Sequence, residues 1–167
     1  MAYVDLTNRD KAIEIIEKRG VSIRDIANVT LIIQQQYYAA LTIEECERNV
    51  LRVLEKTEVQ HVIFTGIALD ELCEQGLLPE PLNTLVKTDY SLYGVDEILA
   101  LGIVNVYGSI GFTNFGYVDK AKIGIIGEVD KLGKTGDKCM TFLDDIIGAV
   151  AAAAASRIAH NIINKHQ

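Results

Sequence analysis

With 167 residues, 49% of them apolar, the chain has the length of one domain of ordinary size and enough apolar matter for a real core. Its 16 basic and 23 acidic side chains leave a net charge of −7, which repels nucleic acid and anionic lipid and suits the binding of a cation. Cys46, Cys73 and Cys139 are far apart, odd in number and without CxxC or Cys/His spacing, so neither a disulfide framework nor a zinc site is expected.

The opening MAYVDLTNRDK lacks the apolar core of a signal peptide, and no run of about 18 apolar residues marks a transmembrane helix. The expected location is cytoplasmic.

In chain order the apolar pattern is helical almost throughout. Lys11 to Arg19 reads as a short helix stopped by Gly20. Ser22 and Asp25 form a capping pair, and behind them Ile23, Ile26, Ala27, Thr30, Ile33 and Tyr37 fall on one helical face. Thr42 and Glu45 make a stronger capping box, followed at helical spacing by Ile43, Cys46, Val50 and Val53. Val59, Val62, Ile63, Gly66 and Ile67 form the next stripe, with His61 at a core edge or on the surface. A short helix starts at Pro79, with proline in its first turn. Ile98 to Tyr107 suits a buried helix. Residues 108–138 are rich in glycine and lysine. Gly108, Gly111 and Gly116 match neither a P-loop nor a dinucleotide fingerprint and read as tight turns. Lys131, Lys134 and Lys138 read as a solvated loop.

The last helix sets the expected architecture. Capped by Thr141 and running from Phe142 to about Asn164, it would be about 34 Å long. Gly148, the alanine run and Ser156 leave its middle without a polar face, and a helix apolar all round is buried. The expected fold is all-α: a single-domain helical bundle with a central Gly/Ala-rich helix surrounded by about five others.

Three acidic pairs interrupt this pattern: Asp70 with Glu71, Asp96 with Glu97, and Asp144 with Asp145. The last two open nearly uncharged helices, where a carboxylate interacts favourably with the helix dipole by about 0.3–1 kcal/mol. Asp70 shares the apolar face of Val59, Ile63, Gly66 and Ile67, so it must be paired with Lys or Arg, protonated or bound to metal. Carboxylates converging from packed helix ends, with no His or Cys nearby, make an all-oxygen site. Such a site suits Mg²⁺, and Mg²⁺ in turn points to a phosphate-bearing substrate. Lys122, three residues after Asp119, either pairs with it or binds phosphate.

Three ordered blocks carry a resemblance. GVDEILAL holds Asp96 and Glu97; FGYVDKAKIGII holds Asp119 and Lys122; VDKLGKTGDKCMTFLDDIIGAVAA opens on Asp130 and leads to Asp144 and Asp145. Together they resemble the phosphatidylglycerophosphatase A family, most closely its soluble YutG-like branch, which includes low-temperature-requirement C proteins. The chain differs from the membrane-bound members in lacking a Gly-Thr-x-Gly-Ser block near the N-terminus, and in carrying Gly116 and Ile123 where they have arginine and proline.

The resemblance implies a helical bundle around a central helix and a Mg²⁺-dependent phosphatase acting on phosphatidylglycerophosphate in phospholipid synthesis. The expected site puts Asp96, Glu97 and Asp145 on the metal and gives catalytic roles to Asp119, Lys122 and Asp144. The expected partner is a phosphorylated small molecule or a lipid headgroup at a membrane surface, met by a cytoplasmic or peripheral protein; nucleic acid is not one. A homodimer follows from the frequency of symmetric dimers. The alternative is a non-catalytic regulatory or binding protein that retains the fold and the acidic metal site.

Overall fold

The computed structural model describes residues 8–136 and 138–165; the first seven residues, Asp137, His166 and Gln167 lie outside that description, and with them most of the N-terminal stretch read above for a signal. Among the described residues every regular element is helical. In order these are α1 (Arg9–Lys18), α2 (Ile23–Gln34), α3 (Ile43–Leu54), α4 (Thr57–Glu74), α5 (Leu82–Lys87), α6 (Val95–Val104), α7 (Gly108–Ala121), α8 (Ile125–Thr135) and α9 (Leu143–Lys165). One 3₁₀ turn, Asn105–Tyr107, joins α6 to α7.

Local side chains set the early helix starts. Asn8 accepts the amide of Lys11. Ser22 and Asp25 form the full reciprocal box, with Asp25 Oδ2 taking the Ser22 amide at 2.9 Å and Ser22 Oγ taking the Asp25 amide at 3.2 Å. Thr42 Oγ1 accepts the Glu45 amide at 3.3 Å without a returning bond from Glu45, so the order of strength expected from sequence is reversed.

α9 is the centre. α2, α3, α4, α6, α7 and α8 all pack on it, six helices where about five were expected. Ala149, Ala151 to Ala155 and Ser156 are fully buried. Their lack of bulk lets neighbours approach from every side. Gly66 of α4 marks the tightest approach: a Cβ there would sit 2.5 Å from Ile146 Cδ1 and 3.1 Å from Phe142 Cβ. Larger side chains fill the N-terminal end of α9, with Phe142, Leu143, Ile146 and Ile147 all buried, each stabilising by about 1.5–3 kcal/mol.

Four local expectations need correction. Tyr37 lies beyond the end of α2 and is 74% exposed, so the helical stripe stops short of it. Gly111 and Gly116 sit inside α7; only Gly108, with φ 71°, marks a turn. Lys131 and Lys134 belong to α8. α6 buries Ala100, Ile103 and Val104 but leaves Ile98 67% exposed, so it is not a helix buried all round.

Two segments, Val95–Ala121 and Leu143–Asn164, are long and apolar enough to cross a bilayer by length and composition. The second is the buried α9. The first is a hairpin. α6 begins with Asp96 beside Asp145 and ends near Ser156, whose Oγ donates to the Tyr107 carbonyl at 2.9 Å. α7 then returns to place Lys122 against Asp144. The start of α6, the end of α7 and the start of α9 therefore meet at one place.

Candidate metal centre

The meeting point is built around the first turn of α9, and that turn is held by a residue far away in sequence. Asp70 of α4, fully buried, accepts the Phe142 amide at 3.1 Å and the Leu143 amide at 3.1 Å. It caps α9 from outside the helix. The expected cap, Thr141, turns away and donates its hydroxyl to the Val86 carbonyl at 2.7 Å. Helix N-termini carry unsatisfied amides and partial positive charge, so a carboxylate there is stabilised without an ion-pair partner. Burial pushes the Asp70 carboxyl up to about 7, against the pull of the two amides, the Cys139 thiol and the nearby Arg19.

From this fixed turn Asp144 and Asp145 project in different directions. Lys122 Nζ donates to Asp144 Oδ2 at 2.8 Å and to Asp119 Oδ1 at 2.8 Å, and lies 3.8 Å from Asp145 Oδ1. Burial works against the Lys122 charge, but Asp144 and Asp119 outweigh it and hold the ammonium well above its usual range. The Lys122 backbone is itself left-handed, with φ 46°, a conformation that costs a bulky residue roughly 1–3 kcal/mol. It is locked from behind by Gly127, where a Cβ would come within 2.5 Å of the Lys122 carbonyl oxygen.

On the other side, Asp145 meets α6. One carboxylate oxygen each from Asp96, Glu97 and Asp145 lie within 4.8 Å of one another. Asp96 Oδ1 and Glu97 Oε2 are buried and have no hydrogen-bond partner among the described residues. Burial, and then the neighbouring Glu97, push Asp96 up to about 8. Burial and then Asp144 push Asp145 up to about 9, with Lys122 opposing. Asp144 rises less, to about 6, because Lys122 offsets its burial. Oxygen-only donors, two of them orphaned, crowded by like charge: this set fits a hard divalent cation. Zinc or copper would call for the His or Cys ligands that it lacks.

A family model described as phosphatidylglycerophosphatase A matches residues 20–160, which includes every residue of this cluster. The chain belongs to the phosphatidylglycerophosphatase A family. It is similar to two uncharacterized proteins of Bacillus subtilis (strain 168). YpjQ is 56% identical over 157 residues, covering 94% of this chain and 84% of that protein. YutG is 56% identical over 145 residues, covering 87% and 86%. The fold matches the crystal structure of low temperature requirement C protein from Listeria monocytogenes, with a TM-score of 0.90, 52% identity, and coverage of 93% of this chain and 96% of that one.

Of the six site residues expected from this family's blocks, all six come together: Asp96, Glu97 and Asp145 on one side of Lys122, Asp119 and Asp144 around it. Asp130 stands further along, paired with Lys134 at 2.7 Å. Lys134 is thus solvated as expected, with its side chain 57% exposed, but it stands on a helix rather than in a loop. Beyond Asp144 a cavity of about 150 Å³ opens, lined by Lys87, Thr88, Asp89, Asp130, Lys134 and Thr141 among others. Lys87, Thr88 and Asp89 carry no local sequence signal. They end α5 and begin the loop to α6, and only the fold brings them to Asp144.

Proposed function

We propose that this phosphatidylglycerophosphatase A family member is a Mg²⁺-dependent phosphomonoester hydrolase, with phosphatidylglycerophosphate as the family's implied substrate. The observation that carries the reading is the trio of Asp96, Glu97 and Asp145, within 4.8 Å and with two orphaned oxygens, set beside a lysine bound to Asp119 and Asp144. Asp96, Glu97 and Asp145 would hold the cation. When bound, it neutralises them, polarises a phosphoryl oxygen and lowers the pKa of a water.

The chain's own groups supply the rest. Lys122, kept charged by Asp144 and Asp119, stabilises the negative charge that develops on the phosphoryl oxygens. Its left-handed backbone and three carboxylate neighbours fix the ammonium before substrate arrives, so little reorganisation is needed. Asp144, free of the trio and poised near 6, holds or gives up a proton close to neutral pH. Asp119 orients Lys122 from the exposed side.

The test is phosphate release from lipid and soluble phosphomonoesters with Mg²⁺ or EDTA, with Asp145→Asn beside the wild type. Wild type hydrolyses a phosphomonoester only with Mg²⁺, and millimolar Mg²⁺ raises its melting temperature. Asp145→Asn loses at least a hundredfold in rate and loses the Mg²⁺ response. Its metal-free form melts higher than wild type above pH 8. The sign follows from the raised carboxyl: stability present while Asp145 is protonated is lost as pH climbs through about 9, and asparagine has no proton to lose. No Mg²⁺ binding by calorimetry at millimolar concentration would falsify the reading.

A further inference from the structure

The far end of the bundle carries a second cavity. It lies where α3 ends, α4 begins and the 3₁₀ turn between α6 and α7 meets α9, and it is lined by Arg52, Glu55, Lys56, Tyr107 and Arg157. Arg157 stands twelve residues after Asp145 on the same helix, about 18 Å along its axis, so this cavity is separate from the metal centre.

Its lining is cationic in a chain whose net charge is −7. Three positive side chains face one carboxylate, and that carboxylate is already engaged: Glu55 accepts from Arg52 at 2.9 Å and from Arg9 at 3.4 Å. Lys56 and Arg157 have no carboxylate within ion-pairing distance among the described residues. Arg157 Nε and Tyr107 Oη are buried and have no hydrogen-bond partner there either. Burial pushes the Tyr107 hydroxyl up to about 12, so near neutral pH it keeps its proton and offers it to an acceptor. Outside the lining, Glu58 acts on Tyr107 and Arg9 on Glu55, and these two charges balance. α4 starts after Lys56 without a side-chain cap, so the positive end of its dipole adds to the same field.

We propose that this cavity binds a phosphate dianion carried on a small soluble molecule. Two surplus positive charges match a dianion, whereas a monocarboxylate leaves one unmatched. The guanidinium fork of Arg157, the ammonium of Lys56 and the Tyr107 hydroxyl are all donors, and a phosphate has oxygens enough to accept from each. At about 410 Å³ the cavity holds roughly fourteen waters at about 30 Å³ each. That is room for a phosphate and a short organic group, not for a whole nucleotide. The net charge of −7, with Glu55 and Glu58 both exposed, opposes the approach of an anionic bilayer, so the source is a soluble phosphate. The bound anion would tie the turn of the α6–α7 hairpin to α3 and α9. The inference does not depend on the phosphatase reading above.

The experiment titrates inorganic phosphate into the protein by calorimetry in EDTA, at low ionic strength and about pH 7.5. EDTA leaves the trio of Asp96, Glu97 and Asp145 without a cation, and it then repels phosphate. Wild type binds one phosphate per chain with a Kd of about 1 mM or tighter. Arg157→Gln weakens binding at least tenfold, and Lys56→Gln and Tyr107→Phe weaken it about three- to tenfold. Arg24→Gln, which removes an exposed cation paired with Glu47, changes it by less than twofold. Sodium acetate at equal ionic strength does not bind. Vesicles of phosphatidic acid in phosphatidylcholine do not carry the protein down on sedimentation; sedimentation that Lys56→Gln abolishes would overturn the soluble source. The site itself is overturned if wild type takes up no phosphate, if acetate binds as well, or if Arg24→Gln costs as much as Lys56→Gln. It is equally overturned if Lys56→Gln and Tyr107→Phe both stay within twofold of wild type, a result that stands even where Arg157→Gln fails to fold.

Discussion

Replacing Asp70 with alanine tests the packing logic of the site without touching any group that meets substrate. The Asp70 carboxyl takes the amides of Phe142 and Leu143, and the Cys139 thiol lies 3.4 Å away. Alanine leaves two buried amides without acceptors, at about 1–3 kcal/mol each, partly relieved by movement of the first turn. A net loss of about 3 kcal/mol, at about 3 °C per kcal/mol for a chain of this length, lowers the melting temperature by roughly 9 °C.

The loss depends on pH, and the direction is fixed by the raised carboxyl. With a native value of about 7 against the ordinary 3.8, folding favours the protonated acid. That contribution is fully present below the unfolded value and drains away as pH rises through about 7. The gap between wild type and Asp70→Ala is therefore wider at pH 5 than at pH 8. Asp70→Asn imitates the protonated acid, matching wild type near pH 5 and equalling or exceeding it at pH 8. Thermal melts followed by circular dichroism at both pH values measure all three proteins. An alanine variant within about 1 °C of wild type at pH 5, or a gap that grows with pH, would refute the cap.

Two further outcomes probe the centre and its support. Lys122→Met strands Asp144 and Asp145, whose side chains are 8% and 4% exposed, and costs about 1–2 kcal/mol, reduced from the 3–5 of a fully buried pair because Lys122 is itself 31% exposed. Because the stranded acids can take up protons, urea titration shows a smaller loss at pH 5 than at pH 8, and equal losses at the two would count against the pairing. Gly66→Ala drives a methyl to 2.5 Å from Ile146 Cδ1 and costs about 1–3 kcal/mol, whereas Gly116→Ala, with nothing within 4 Å, gains up to about 1 kcal/mol from helix propensity. If the two alanines behave alike in urea titration, the close approach of α4 to α9 is wrong.

What could be read from sequence was whatever depends on neighbours three or four residues away. The caps at Ser22 and Thr42, the stripes of α2 to α4 and the burial of the alanine run all belong to that class. Thr141 shows the limit of local rules. It stands where a cap should, yet its hydroxyl goes to Val86, and the cap comes from Asp70, 72 residues before Phe142. The position of Asp70 on an apolar face did announce a buried acid needing a partner. Nothing local could say that the partner was a pair of amides. Lys134 was misread for the same reason: glycine-rich composition suggested a loop, and the helix pairs it with Asp130 four residues earlier. The recurring acidic pairs pointed to converging carboxylates, but which three form the trio was legible only through the ordered blocks, since Glu97 and Asp145 are 48 positions apart.

The convergence of those acids follows from the core. Helices bearing ordinary side chains pack with axes about 8–10 Å apart, and small residues at the contact favour the near end of that range. α9 offers Gly148, alanines, Ser156 and a single larger residue, Val150, to its neighbours along its middle, so α6 and α7 can pack close against it. Their ends then reach the first turn of α9 with short side chains. Aspartate, with one methylene, spans the gap from α6 to α9, and one lysine reaches Asp119, Asp144 and the edge of Asp145. A bulkier α9 would hold α6 away and separate the carboxylates beyond the reach of a single ion. The alanine run that makes the core and the acidic pairs that make the site are, in this fold, one geometric requirement.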